Sequence, residues 1–221
     1  MTKLILKILF LVITIGLTSV KVVGQSPKEK PHFESEQKEA ADKLVNDIMG
    51  FDKVSGYLGH LIGRQLPQLK GTTVKGLHFN SSEFLGKPMV LNFWFIQCPV
   101  CYKEVPDLNR VYEDSKKEDF VFMSFCKNES AELTELFETT EGNGYKRKRA
   151  TRKDEIMYYD IVPGASEFVD LLDITAFPVT LAVGKDGKIT NVILYISMAQ
   201  YPDEMITYRL VKAEVESIRK N

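Results

Sequence analysis

The sequence predicts an α/β fold: a central mixed sheet flanked by helices, with an N-terminal helical extension. Three observations predict it. Met89-Val90-Leu91-Asn92-Phe93-Trp94-Phe95 is a short apolar run with aromatics, the pattern of a strand covered on both faces. A helix-compatible stretch from about Pro99 to Lys117 separates it from a second such run, Phe120 to Phe125, and strand–helix–strand reads as a parallel crossover. Near the C-terminus, Pro178 to Val183 and Ile189 to Ile196 flank Lys185-Asp186-Gly187-Lys188, and Asp-Gly between apolar runs signals an antiparallel hairpin.

The elements follow in order. Residues 1–24 read as a secretory signal: Lys3 and Lys7 are the positive start, Ile8 to Val20 is almost unbroken apolar chain, and Val22 and Gly24 place cleavage before Gln25. The alternative is an uncleaved anchor, but the run is shorter than the roughly 20 residues of a spanning helix. The mature chain is therefore expected to be soluble, exported, and periplasmic or otherwise extracytoplasmic. Residues 25–60 form an N-terminal extension. After a proline-broken lead, Ala40, Ala41, Leu44, Val45 and Ile48 recur at helical spacing between Ser35 and Met49.

Residues 61–221 form the main domain. Thr72 to Phe79 suits a short hairpin, Ser81 can cap a turn of helix through Leu85, and Gly86-Lys87-Pro88 forces a turn into the first buried strand. The second strand runs up to Cys126. A helix is expected from Ser130 to about Glu141. A loop from Gly142 to Lys153 follows, carrying Lys146, Arg147, Lys148, Arg149, Arg152 and Lys153. A solvated loop is the preferred reading of that basic run, over a dock for an acidic partner. A strand over Ile156 to Val162, a helix over Ala165 to Leu172 and a closing amphipathic helix from Tyr201 to Lys220 complete the domain.

Composition excludes some functions. With 27% charged and 44% hydrophobic residues the chain is ordinary globular protein. Its net charge of -1 becomes more acidic once Lys3, Lys7 and Lys21 leave with the signal, which argues against nucleic acid and anionic lipid as partners. Three cysteines are too few for a disulfide scaffold, and the odd count leaves one unpaired.

The sharpest feature is Trp94-Phe95-Ile96-Gln97-Cys98-Pro99-Val100-Cys101. A strand ending at Gln97 and a helix beginning near Pro99 put Cys98 at the helix N-cap, where unpaired N–H groups and the helix dipole favour its thiolate. Pro99 suits the first helical position. Cys101 lies one turn in, within reach of a tight disulfide. This arrangement predicts an exposed attacking thiolate at Cys98 and a shielded resolving thiol at Cys101, which together exchange a disulfide with a protein partner in two steps. Glu104, three residues on, could accept the Cys101 proton, or could equally be a solvated surface glutamate. A zinc site would need two further ligands at suitable spacing, and His32, His60, His78 and Cys126 form no second close pair. No cofactor or metal is expected.

The segment from Phe93-Trp94 through Cys98-Pro99-Val100-Cys101-Tyr102-Lys103-Glu104-Val105-Pro106 resembles the active site of TlpA/ResA-type thioredoxin-like proteins. Gly86 to Asn92 upstream, and Ile174-Thr175-Ala176-Phe177-Pro178-Val179-Thr180 with Lys185 to Lys188 downstream, continue the resemblance in family order over about residues 60–215. It implies a thioredoxin fold, disulfide exchange outside the cytosol, and a cis Phe177–Pro178 bond whose backbone pairs with a partner peptide. On this resemblance Pro99, Val100, Phe177 and Pro178 bind substrate, and Glu104 matches a glutamate that tunes the cysteine pair. Asn92 falls where thioredoxins proper carry a buried aspartate. Gln97 and Val100 depart from the family pattern, so substrate choice and redox potential do not carry over.

The expected partners are protein disulfides or dithiols and a membrane-bound or soluble electron donor. Cys126 is read as an inert buried cysteine in preference to a third exchange thiol, and Trp94 as packing. Two competing functions are a thiol peroxidase, whose threonine position before the reactive cysteine is here Cys98, and a binding module with a permanent disulfide.

Overall fold

A computed structural model describes residues 58–140, 142, 144–149, 155–194 and 206–220. The expected signal segment, the 35–49 helix and the start of the closing helix lie outside these residues.

Five strands form the central sheet in the order β7-β4-β3-β8-β9. β3 (Met89–Trp94) is buried along its whole length at the centre. It pairs parallel with β4 (Val121–Cys126) and antiparallel with β8 (Val179–Val183). β9 (Ile189–Leu194) continues the hairpin from β8, and β7 (Ile161–Val162) extends the other edge in parallel. The sheet is mixed and has the thioredoxin-type arrangement that the motif order implied.

Alternation along the strands sends successive side chains to opposite faces. Met89, Leu91 and Phe93 join Met123, Phe125, Val179 and Leu181 in one core. The small hairpin of β1 (Lys70–Thr72) and β2 (His78–Asn80) and the helix α4 (Ser166–Leu171) cover this face. Val90, Trp94, Phe122 and Cys126 face the other way, under α1 (Pro99–Lys103), α2 (Val105–Ser115) and α5 (Ile206–Lys220). Asn92, Ser124 and Thr180 lie opposite one another in register on three central strands, between residues of this second core.

Several elements differ from expectation. The helix after Cys98 is broken at Glu104 into α1 and α2, because Pro106 has no N–H to donate to the preceding turn. Ser81 does not cap its turn. Asn80 accepts from the Ser82 N–H, while the Ser81 hydroxyl accepts from Leu69 N–H at 2.9 Å. The helix α3 (Ser130–Leu136) ends five residues early, and β5 (Phe137–Thr139) pairs antiparallel with β6 (Tyr145–Arg147). Phe137 is drawn into the core against Trp94, and the β-branched Thr139 and Thr140 favour extended chain over helix. The expected 156–162 strand shrinks to β7, since Met157 bonds to Tyr145 instead of to the main sheet.

Candidate functional site

The loop leaving β3 is held by specific hydrogen bonds. Lys127 N–H donates to Trp94 O at 2.9 Å, Asn128 Oδ1 accepts from Ile96 N–H at 2.8 Å, and Tyr102 OH donates to Ile96 O at 2.7 Å. Asn128 also donates to Glu132 Oε1 at 3.0 Å, so β4 and α3 together brace the loop. This bracing places Cys98 at the N-cap of α1 in extended conformation, where its sulfur accepts from Cys101 N–H at 3.2 Å. Pro99 occupies the first turn of that helix.

Cys98 and Cys101 are joined by a disulfide, with Cα atoms 5.4 Å apart. Cys98 is only 4% exposed, less than expected for an attacking group; in this oxidised state its sulfur is turned to Cys101 and packed among core residues. Its neighbours Gln97 and Pro99 are exposed and Val100 is half-buried. The Phe177–Pro178 bond is cis. The Phe177 ring meets Phe95 edge-on at 5.3 Å, which brings this loop beside the one that carries Cys98.

Glu104 is not a solvated surface glutamate. It is 1% exposed and turns into the core at the junction of α1 and α2. Thr207 Oγ1 donates to its Oε1 at 2.9 Å and Asn92 Nδ2 donates to its Oε2 at 3.4 Å. Burial pushes its carboxyl up to about 8, nearby Asp107 adds to the rise, and the two hydrogen bonds oppose it. The Glu104 N–H also caps α1 on Cys101 O at 3.3 Å, tying its backbone to the second cysteine. Asn92 in turn donates to Thr180 Oγ1 at 3.1 Å and accepts from Ser124 at 3.3 Å. The result is a connected buried polar stripe across three strands, reaching two helices.

Cys126 is fully buried at the end of β4, in register with Trp94. Desolvation raises its thiol to about 12, so it carries no thiolate at neutral pH. The basic run is not simply solvated. Arg147 lies over the Tyr102 ring at 3.8 Å and pairs with Glu155 at 2.9 Å, and Lys148 Nζ donates to Glu135 O at 2.6 Å.

Thr207, Asn128, Thr180 and Arg147 belong to this site although sequence spacing did not point to them. Asn128 alone had a local signal, as an amide-bearing residue between a strand end and a helix start.

The model of the AhpC/TSA family matches residues 62–192. The chain belongs to this family. It is 21% identical over 154 residues to the thiol-disulfide oxidoreductase ResA of Bacillus cereus, covering 68% of this chain and 82% of that protein. A shorter match, 43% identical over 44 residues and 20% of this chain, is to the soluble secreted antigen MPT53 of Mycobacterium bovis. Among solved structures, a thiol:disulfide interchange protein of the thioredoxin family from Chlorobium tepidum TLS is similar at a TM-score of 0.50. It is 20% identical, and the match covers 69% of this chain and 97% of that one. Family, thioredoxin fold and a disulfide-bonded Cys-x-x-Cys pair make the chain a TlpA/ResA-like redoxin and a thiol:disulfide oxidoreductase.

Proposed function

We propose that this protein works outside the cytosol as a reductant of selected protein disulfides, with Cys98 as nucleophile, Cys101 as resolving thiol and Glu104 as proton carrier. The observation that carries this reading is the Cys98–Cys101 disulfide at the N-cap of α1, backed by a buried carboxyl at that helix's end.

The chemistry closes as a cycle. In the reduced protein, Cys98 thiolate attacks one sulfur of the partner disulfide. A mixed disulfide forms and the partner's other sulfur leaves as a thiolate. Cys101 then gives its proton to the Glu104 carboxylate, directly or through water, and its thiolate attacks Cys98. The partner departs with both sulfurs reduced, and the protein is left oxidised with Glu104 protonated. A carboxyl raised to about 8 keeps that proton at neutral pH. On recharging, a donor thiolate attacks Cys98, and Glu104 returns its proton to the departing Cys101 thiolate. A second donor thiolate then frees Cys98. The electrons come from a membrane-bound or soluble dithiol donor, and one pair passes per cycle.

Pro99, Val100 and Gln97 border the cysteines, and Phe177 and Pro178 form the neighbouring loop. On this reading these residues receive the partner peptide, which adds alongside the Phe177 backbone as an extended strand. Export is supported by the signal-like residues 1–24 and by the secreted relative. Among the described residues no helix is long and apolar enough to cross a membrane.

The test is the reduction potential of the Cys98–Cys101 pair in glutathione or dithiothreitol buffers, alongside insulin reduction by wild type and Cys98→Ser. A potential near that of thioredoxin, about -270 mV, with activity lost in the variant, is expected. A potential near about -120 mV would reverse the proposed direction of electron flow.

A further inference from the structure

Glu104 takes its shorter hydrogen bond from a distant part of the chain. The Thr207 hydroxyl reaches Oε1 at 2.9 Å across 103 positions, whereas the Asn92 amide, also engaged by Thr180, reaches Oε2 only at 3.4 Å. Thr207 is itself buried on the first turn of α5. A row of contacts along α2 and the residues that follow it docks that helix. Tyr208 N–H donates to Asp107 Oδ2 at 3.1 Å and Tyr208 OH to Asp114 Oδ2 at 2.9 Å. Lys212 pairs with Asp114 and Glu118, and Arg219 with Glu118 beyond them. The hydroxyl is therefore held at the active-site end of a docked helix.

We infer that Thr207 is a positioning residue for exchange: its hydroxyl fixes the Glu104 carboxylate and sets how readily that group takes the proton of Cys101. The inference rests on the proposed role of Glu104. A donor to the charged form of an acid favours that form, and a buried carboxylate has no water to replace a lost donor. Without the hydroxyl, Glu104 stays protonated to higher pH, and at neutral pH fewer molecules hold the base that resolution needs. Among the described residues, the ionisable groups that act electrostatically with Glu104 are Asp107 on α2 and the buried phenol of Tyr159. Asp107 keeps its Tyr208 N–H when Thr207 changes.

The experiment follows single-turnover oxidation of the reduced full chain by insulin disulfide from pH 6 to 10. The sole tryptophan, Trp94, at the end of β3, reports the reaction by fluorescence. Thr207→Val is expected to move the midpoint of the Glu104-dependent limb upward by about one unit, which slows the reaction roughly tenfold at pH 7. It should keep the alkaline plateau. Thr207→Ser should restore the wild-type profile, and Glu104→Gln should abolish the limb. Thr207→Ala, which adds no bulk, carries the same expectation as Thr207→Val if the valine does not pack.

A Thr207→Val or Thr207→Ala profile that superimposes on wild type while Glu104→Gln loses the limb overturns the role of Thr207 and leaves that of Glu104 standing. Equal shifts in the serine variant overturn it too, since packing and not the hydroxyl would then be responsible. A Glu104→Gln profile identical to wild type overturns the role of Glu104 itself, and this inference with it.

Discussion

At the scale of single residues, the protein keeps a carboxyl where it is costly to ionise. Glu104 holds its proton up to about pH 8 in the folded chain, against an ordinary value of 4.5. Between those two values the folded state binds more protons than the unfolded state, so stability falls as pH rises through the window. The contribution is intact below about pH 4.5 and gone above about pH 8. Glu104→Gln, which mimics the neutral form, should therefore gain on wild type by a few kcal/mol between pH 5 and 9 in urea titrations of the oxidised protein. A gap that stays flat across that range would count against the buried, proton-bearing glutamate. Cys126 is the opposite case, a reactive side chain kept silent. The native oxidised protein should show no thiol to dithionitrobenzoate at pH 8 and one after unfolding, and Cys126→Ala should exchange disulfides at the wild-type rate.

At the scale of elements, the break between α1 and α2 turns Glu104 inward. Pro106 was plain in the sequence, yet a helix-compatible stretch read by composition alone runs straight through it. The two buried strands, the Asp-Gly hairpin and Cys98 at a helix N-cap were legible because each depends on residues near one another in the chain. The β5–β6 hairpin and the shortening of the expected 156–162 strand to β7 were not. They arise because Phe137, Met157 and Tyr159 complete a core supplied by distant strands, and nothing local marks that demand. Arg147 illustrates the same limit: in sequence it belongs to a charge run, and in the fold it covers Tyr102 beside the second cysteine. Arg147→Ala should cost about 1 kcal/mol in chemical denaturation, from the lost ring contact and a partly exposed ion pair. Its reduction potential should match wild type. Asn128→Ala should cost more, about 1–3 kcal/mol, since it leaves the Ile96 N–H without its acceptor in a half-buried loop.

At the scale of the whole molecule, chemistry gathers at one end of the sheet, while the hairpins and α4 serve packing. Cys98 and Cys101 lie just beyond the end of β3, and their partners come from β4, the loop before β8, and α5. The mixed sheet makes this possible. β3 and β4 run parallel and end together at Trp94 and Cys126, and antiparallel β8 starts at that same end, bringing Phe177 and Pro178 to it. Cys126, the third sulfur, is sealed beneath this end. With three cysteines in the chain, one of them buried and unpaired, the Cys98–Cys101 pair is the one dithiol that stores an electron pair. On the proposed function, electron donor and electron acceptor take turns at the surface around Gln97, Pro99 and Val100, each waiting for the other to leave. Steady-state kinetics should then give parallel lines in double-reciprocal plots, with each substrate in excess inhibiting competitively against the other. Such a carrier works at its best when the two traffic streams are balanced.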